Sequence, residues 1–386
     1  MRQLDRYDLD RSKRPNMWIK FDYILFITVV GLTLLGLIIL PSALSGQRDA
    51  SKAVIVQIGC FIVGVGIAIF LSCIDYIVFK HIAVFFYFGN IVAMLLVYSP
   101  LGKEVNGSLN WLDLGIITYQ PSELLKLATI IMVAMCLEDM KLDSGRTLYN
   151  VGRIGFFFAL PMVMVLLQKD LGTALVFVFF FTVMIFVAGL KLRYFISAIS
   201  AALISIPFIW KFYLSKDSVR SERILTFLDP ERDPMNKGFQ ARMAKYSIGS
   251  GQTTGKGIGN GPITSAGSVP IKESDFIFSV IGEELGFIGS IMVVGLFFIL
   301  LTKMIGISRK AADYFGEYVS IGIFSMFAFH FLENIGMNIG IMPITGIPLP
   351  FISAGGSAIL TNFLAIGVVL SISARRRTEG LFGEMN

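Results

Sequence analysis

The sequence predicts an all-α integral membrane protein of about ten transmembrane helices, with one long extracellular loop between the seventh and the eighth. Three observations predict it. The 386 residues are 55% hydrophobic and only 16% charged, too little charge for a soluble protein of this length. The apolar residues come in blocks of roughly 17 to 25, the length that crosses about 30 Å of hydrocarbon as helix. A single polar stretch, from about Leu214 to Asp275, breaks their rhythm. No soluble domain is left once the blocks are removed. The chain therefore reads as one polytopic membrane domain, with a cytoplasmic segment over 1–20, the long loop over 214–275 and a cytoplasmic tail over 375–386.

Met1–Lys20 is polar and basic and has no short apolar core with a small-residue cleavage site, so no removable signal peptide is expected. The expected spans are Tyr23–Leu40, Val54–Ser72, Ile82–Tyr98, Ser122–Leu137, Ile154–Leu167, Leu171–Leu190, Tyr194–Tyr213, Ile277–Leu301, Tyr318–Ile341 and Ser357–Ala374. An even number puts both termini on one side. The termini and the loops on their side are rich in Lys and Arg, from Arg2, Arg6 and Arg11 through Lys141, Arg146, Lys191, Arg193, Arg309 and Lys310 to Arg375, Arg376 and Arg377. The short loops opposite hold Arg48, Lys52, Lys103 and Lys169. Short loops rich in Lys and Arg stay cytoplasmic, which places both termini there and the long loop outside. This asymmetry accounts for the net charge of +6, and no nucleic-acid signature accompanies it. Cys60, Cys73 and Cys136 lie in or beside spans without CxxC spacing and read as small apolar residues.

Ionisable groups inside spans are costly and draw functional suspicion. Glu123 and Lys126 stand at i, i+3 at the start of the fourth span, on one helix face where they can pair. They read either as a structural ion pair or as the wall of a substrate cavity, and the two uses are compatible. His330, Glu333, Asn334 and Asn338 form one stripe of the ninth span, which suits interhelical hydrogen bonding better than a proton relay. Of Glu283 and Glu284, one is expected to cap or bond a neighbouring loop. Asp170 heads the sixth span, where the helix dipole favours an acid. Pro343, Pro348 and Pro350 prevent regular helix before the last span, and such backbone at membrane depth needs a protein or cavity environment.

A membrane protein that lengthens one loop places chemistry there. The run Gly249–Gly257 looks like a phosphate loop but fails as one: Ser250 stands where glycine is needed and Gly257 where a hydroxyl should hold magnesium. No HExxH occurs and the chain has two histidines, His81 and His330, so neither a zinc peptidase nor a serine–histidine triad is expected. Phe239, Met243 and Tyr246 suit an amphipathic helix on the membrane surface. The glycine-rich run beyond offers backbone N–H groups and Lys256. Arg220, Arg223, Lys237, Arg242, Lys256 and Lys272 can each meet anionic lipid or neutralise a diphosphate. The loop ends in Glu273-Ser274-Asp275-Phe276-Ile277-Phe278, an acid at the water–membrane boundary. A carboxylate there, cations above it and a polar cavity below suit displacement of a lipid diphosphate by a hydroxyl. Asp275 would take the hydroxyl proton, since an inverting transfer needs one carboxylate base where a retaining glycosidase needs two carboxylates.

Four sets of residues, in this order, resemble the SEDS family (shape, elongation, division, sporulation). They are Asn110-Trp111-Leu112-Asp113-Leu114-Gly115 with Gln120-Pro121-Ser122-Glu123-Leu124-Leu125-Lys126; Asp170-Leu171-Gly172-Thr173; Ser274-Asp275-Phe276-Ile277-Phe278 with Gly282-Glu283-Glu284-Leu285-Gly286; and Pro348-Leu349-Pro350-Phe351-Ile352-Ser353 with Gly355-Gly356-Ser357. Together they cover nearly the whole chain. Ile347-Pro348-Leu349-Pro350 and Gly255-Lys256-Gly257 are more similar to the elongation branch than to the division branch. The resemblance implies a peptidoglycan glycosyltransferase. It would polymerise lipid II on the outer face of the bacterial cytoplasmic membrane, for elongation and shape, with undecaprenyl diphosphate leaving. It implies as partners a class B penicillin-binding transpeptidase and elongation-complex proteins, besides lipid II and membrane lipid. The family's essential acid matches Asp275, and its paired cavity residues match Glu123 and Lys126. Gln120, Trp111, Asp170 and Ser357 stand in the same motifs and are taken, with Arg223 and Lys256 of the loop, as substrate contacts. No metal ligand is assigned, no cofactor is called for, and help from a divalent cation is left open. The chain departs from the family at Glu273-Ser274, Lys169, Ala354 and Ala358, which puts hydroxyl contacts near Ser274 and Ser357 in question. A lipid II flippase would need the cavity but neither Asp275 as base nor the long loop. A scaffold for the transpeptidase would need only the spans. A polymerase of the division or sporulation type is the nearer alternative.

Overall fold

The computed structural model describes residues 20–47, 49–105, 108–113, 115, 118–142, 147–189, 227, 237–267, 269 and 271–376. Nine of the ten expected spans coincide with helices: α1 (Tyr23–Ala43), α2 (Ala50–Cys73), α3 (Ile77–Leu96), α4 (Pro121–Leu142), α5 (Thr147–Leu167), α6 (Leu171–Val187), then α9 (Ile277–Arg309), α10 (Tyr314–Ile339) and α11 (Gly356–Ala374). The seventh, Tyr194–Tyr213, lies outside the described residues, as do most of 1–20, the tail beyond 376 and much of the long loop. Among the described residues seven helices are long and apolar enough to cross a membrane. α4 misses that standard because it carries ionisable groups, and α6 because it has 17 residues.

Local chemistry sets the ends. Asp22, Asp170 and Asp313 cap α1, α6 and α10 by accepting from the backbone N–H of Leu25, Thr173 and Gly316. α10 stops at Gly340, whose φ of 79° is left-handed. Burial separates centre from rim: 83% of the apolar window of α11 and 72% of that of α10 is buried, against 22% of α2. α10 therefore runs through the middle, packed on α4, α6 and α9, while α2 lies against α11 with an outer face for lipid.

Two features depart from a plain helical bundle. Between α3 and α4 the chain forms an antiparallel meander of β1 (Gly102–Val105), β2 (Ser108–Asp113) and β3 (Thr118–Tyr119), with Gly102 opposite Leu112 and Leu112 opposite Tyr119. In the long loop, α7 (Lys237–Ser250) and the single turn α8 (Pro262–Ser265) precede α9. α7 spans the expected amphipathic segment, but its buried positions are Gly238, Ala244 and Ser247, and Tyr246 is 60% exposed. Ser247 donates to the carbonyl of Ser279 at 3.1 Å, so this helix packs on α9 as well as facing outward. α9 has 33 residues, more than a crossing needs, because two helices meet at a break at Gly286 (φ 66°, ψ −160°).

The opposite end of the bundle is fastened by charge. Asp22 lies 3.6 Å from Lys303 and 3.7 Å from Arg376, Asp75 lies 3.6 Å from Arg375, and Tyr76 donates to Asp313 at 2.9 Å. Lys80 meets Glu138 at 2.6 Å.

Candidate active site

Asp275 lies just before α9, half-buried, and its own stretch of backbone is held from outside. Three successive carbonyls each accept from another element. Ala354 N–H donates to Glu273 at 2.8 Å, Ser353 Oγ to Ser274 at 2.6 Å, and the amides of Asn334 and Asn338 to Asp275 at 2.9 and 3.0 Å. Asn334 also donates to Ile347 at 2.8 Å, so one buried amide ties the acid to the proline-rich segment. Ser274 Oγ donates to Asp275 Oδ1 at 2.9 Å. A Cβ placed on Gly346, whose φ is 80°, would come within 3.3 Å of Asp275 Oδ2, so the carboxylate lies over that glycine. Fixing of this kind costs nothing at the moment of reaction and is what a positioned base needs.

Next to it, across Ser353, lies a small cleft lined by Glu123, His330, Pro348, Leu349, Pro350, Phe351, Ser353, Ala358, Ile359 and Asn362. Glu123 and Lys126 pair at 2.8 Å, 5% and 1% exposed, and the Lys126 ammonium also donates to His330 Nε2 at 2.9 Å. His330 Nδ1 meets the Pro348 carbonyl at 3.2 Å; with Nδ1 donating there, Nε2 is free to accept from Lys126. Glu333 accepts from Thr345 Oγ1 at 2.8 Å. The stripe on α10 thus does what interhelical bonding requires. It joins the ion pair, the proline-rich segment and Asp275.

The other expected site residues divide. Gln120 donates to Asp170 Oδ2 at 3.5 Å, and Asp170 also accepts from Thr173 Oγ1 at 2.8 Å besides capping α6. Beside them, burial and the Glu123 carboxylate push the Tyr119 phenol up to about 12, so it stays protonated near neutral pH. Ser357 is 4% exposed, and its hydroxyl has no hydrogen-bond partner among the described residues. Trp111 is half-buried on β2 opposite Lys103, and it does not line the cleft. Arg223 lies outside the described residues, and so does Arg220. The Lys256 side chain is exposed. Its N–H donates to Glu283 at 2.9 Å, roughly 12 Å along the helix from Asp275.

Two expectations for the loop are corrected. The N–H groups of Lys256 and Gly257 do not point to a phosphate, because they donate to the carbonyls of Glu283 and Glu284 at 2.9 and 3.0 Å. Lys272 is no outward cation. It is 4% exposed, donates to Ser45 Oγ at 3.2 Å and to the Thr264 carbonyl, and burial lowers its pKa. Both acids at the second turn of α9 bind the loop or its surroundings, Glu283 through α7 and α8 and Glu284 through Ser42. Reading from sequence misses Gln57 on α2, which donates to the Ser353 carbonyl at 3.0 Å and accepts from Gly355 N–H at 3.1 Å. A glutamine inside an apolar span was the available signal. No group of three or more His, Cys, Asp or Glu that could hold a metal occurs among the described residues.

Fold and site together define a multi-pass helical membrane protein with a partly polar cleft next to a carboxylate whose backbone is held from other elements. Residues 22–378 match the FtsW/RodA/SpoVE cell cycle protein family, and the chain belongs to it. It is 34% identical to the probable peptidoglycan glycosyltransferase FtsW of Trichlorobacter lovleyi, over 97% of this chain and 99% of that one. It is 32% identical to the peptidoglycan glycosyltransferase MrdB of Escherichia coli, over 95% and 98%. Among solved structures it is similar to a chain of a peptidoglycan synthase complex that coordinates polymerization and crosslinking, at 28% identity and TM-score 0.78 over 92% and 98% of the two chains. It is also similar to an aspartate-to-alanine mutant of the rod shape determining protein RodA of Thermus thermophilus, at 25% identity and TM-score 0.68 over 93% and 99%.

Proposed function

We infer that this chain is a peptidoglycan glycosyltransferase that polymerises lipid II on the outer face of the bacterial cytoplasmic membrane. One observation supports the mechanism: the chain at Asp275 is held at the successive carbonyls of residues 273–275, next to segments that line a partly polar cleft. Asp275 takes the proton from the attacking hydroxyl as oxygen bonds to the anomeric carbon of the donor sugar. The bond from that carbon to the diphosphate oxygen breaks on the opposite face, so configuration inverts, and undecaprenyl diphosphate leaves. Glu123, held by its pairing with Lys126, gives the cleft a polar wall, and Gln120, Asp170 and Ser357 are offered to the substrate near it. Trp111 contributes from the sheet. Lys256 and Arg223 are the loop cations offered to phosphate. A class B penicillin-binding transpeptidase is the proposed partner, and cell elongation the proposed process. Both termini are assigned to the cytoplasm from the distribution of Lys and Arg.

A flippase would have to open the bundle alternately at both ends, and the ion pairs of Asp22, Asp75 and Lys80 fasten the end assigned to the cytoplasm. That favours polymerisation over translocation. The test supplies lipid II to the protein purified with its transpeptidase and separates products on a gel. Glycan polymer is the expected result. Translocation of lipid II across vesicles without polymer would replace this function by transport.

A further inference from the structure

The glycine-rich run that fails as a phosphate loop has another use. Residues 252–257 enter the break in α9. The carbonyls of Gln252 and Thr253 accept from Phe287 and Ile288 N–H at 2.8 and 3.2 Å, and Lys256 and Gly257 N–H donate to Glu283 and Glu284. The groups freed by the break are thus bonded to the loop instead of the missing helical turn. The approach leaves no room for a side chain, since a Cβ on Gly255 would sit 2.1 Å from the Glu284 carbonyl oxygen. Beside this splice the Glu283 carboxylate, fully buried, accepts from Ile263 and Thr264 N–H at 2.8 and 2.9 Å and from Ser247 Oγ at 2.9 Å, while Ser250 Oγ, which donates to the Ser247 carbonyl at 2.8 Å, lies 3.5 Å away. One side chain therefore binds both α7 and α8 to the first part of α9.

That part of α9 runs between the splice and Asp275. Asp275 lies roughly eleven residues before the break, or about 16 Å of helix rise. A rotation of about 5° at Gly286 would move Asp275 by about 1.4 Å over that length. A displacement of about 1 Å costs on the order of 100-fold in rate. We propose that Glu283 is a positioning residue for the transfer: it joins the outer loop to the half-helix, fixes the angle at Gly286, and so sets where the Asp275 carboxylate stands. The proposal rests on Asp275 being the base; Glu283 itself touches no reacting atom.

The test uses the full chain purified with its transpeptidase. Initial rates against lipid II concentration are compared for wild type, Glu283→Gln, Asp275→Asn and the double variant Ser247→Ala/Ser250→Ala. Hydrogen exchange is followed in peptides covering 259–267 and 271–281. Glu283→Gln is expected to lower kcat at least tenfold, leave KM within about twofold, and speed exchange in both peptides. The double serine variant keeps both backbone bonds to Glu283 and should shift the same readouts less. Unchanged kcat, or faster exchange in 259–267 alone, overturns the proposal, because a purely structural acid would loosen only its own loop. If Glu283→Gln does not fold, the double serine variant decides by the same two readouts. Polymer from Asp275→Asn would remove the base and leave the coupling to be judged by exchange in 271–281.

Discussion

Replacing Lys126 by methionine separates the two uses of the buried pair. Methionine keeps the length of the side chain and removes both its bonds, to Glu123 at 2.8 Å and to His330 at 2.9 Å. Glu123, 5% exposed, then remains as a buried carboxylate without its cation. Breaking such a pair from one side costs about 3–5 kcal/mol, on the order of 5 °C in the unfolding midpoint of a chain this long. Glu123→Gln combined with Lys126→Met leaves no uncompensated charge and should recover most of the loss. The assay is thermal unfolding in detergent alongside lipid II polymerisation, for all four proteins of the cycle. A cavity wall that meets substrate predicts a double variant that is stable yet at least tenfold slower. A double variant as unstable as the single one refutes the charge argument, since packing would then be the cause. Stability and full rate returning together refute the substrate role.

Three further outcomes follow from the geometry. Gly346→Ala forces a Cβ to within 3.3 Å of Asp275 Oδ2 at a φ of 80°, so polymerisation should fall about tenfold with a stability loss of only about 1–2 kcal/mol. An unaltered rate would detach Gly346 from the carboxylate. Asp170→Ala removes the cap of α6 and should cost about 1 kcal/mol in thermal unfolding, with a raised KM only if the acid also meets substrate. Lys272 gives up its proton more readily folded than unfolded, because it is buried. The unfolded chain therefore binds more protons in the alkaline window just below the ordinary lysine value of 10.5, and stability rises with pH across that window. Lys272→Met should flatten this rise, and pH-dependent unfolding curves of equal slope for both proteins would contradict it.

Much of this was legible because lipid imposes simple rules. Spans such as Tyr23–Leu40 and Leu171–Leu190 start where the observed helices start, since a bilayer demands an apolar run of fixed length. The α10 stripe from His330 to Asn338 was legible too, because polar groups on one helix face must find partners inside protein. What stayed hidden depends on contacts distant in sequence. The glycine at 286 is the local mark of the break, but Gly289 and Gly295 carry the same mark without one, and the segment that fills the break lies some thirty residues earlier. Lys272 looks like any loop cation until the fold buries it under Ser45 and Thr264. The meander was readable in principle. Asn106-Gly107 between β1 and β2 is a strong hairpin signal, which a count of apolar spans passes over.

The central claim is that Asp275 is the base of a glycosyl transfer. Its most direct test measures glycan polymer and lipid II binding together for wild type and Asp275→Asn, each purified with the transpeptidase. Asparagine keeps the shape and leaves the bonds to the carbonyls of residues 273–275 in place. The account predicts binding within about twofold of wild type and a polymerisation rate lower by 100-fold or more, the usual contribution of a positioned base. Polymer formed at the wild-type rate by a folded Asp275→Asn protein would contradict it.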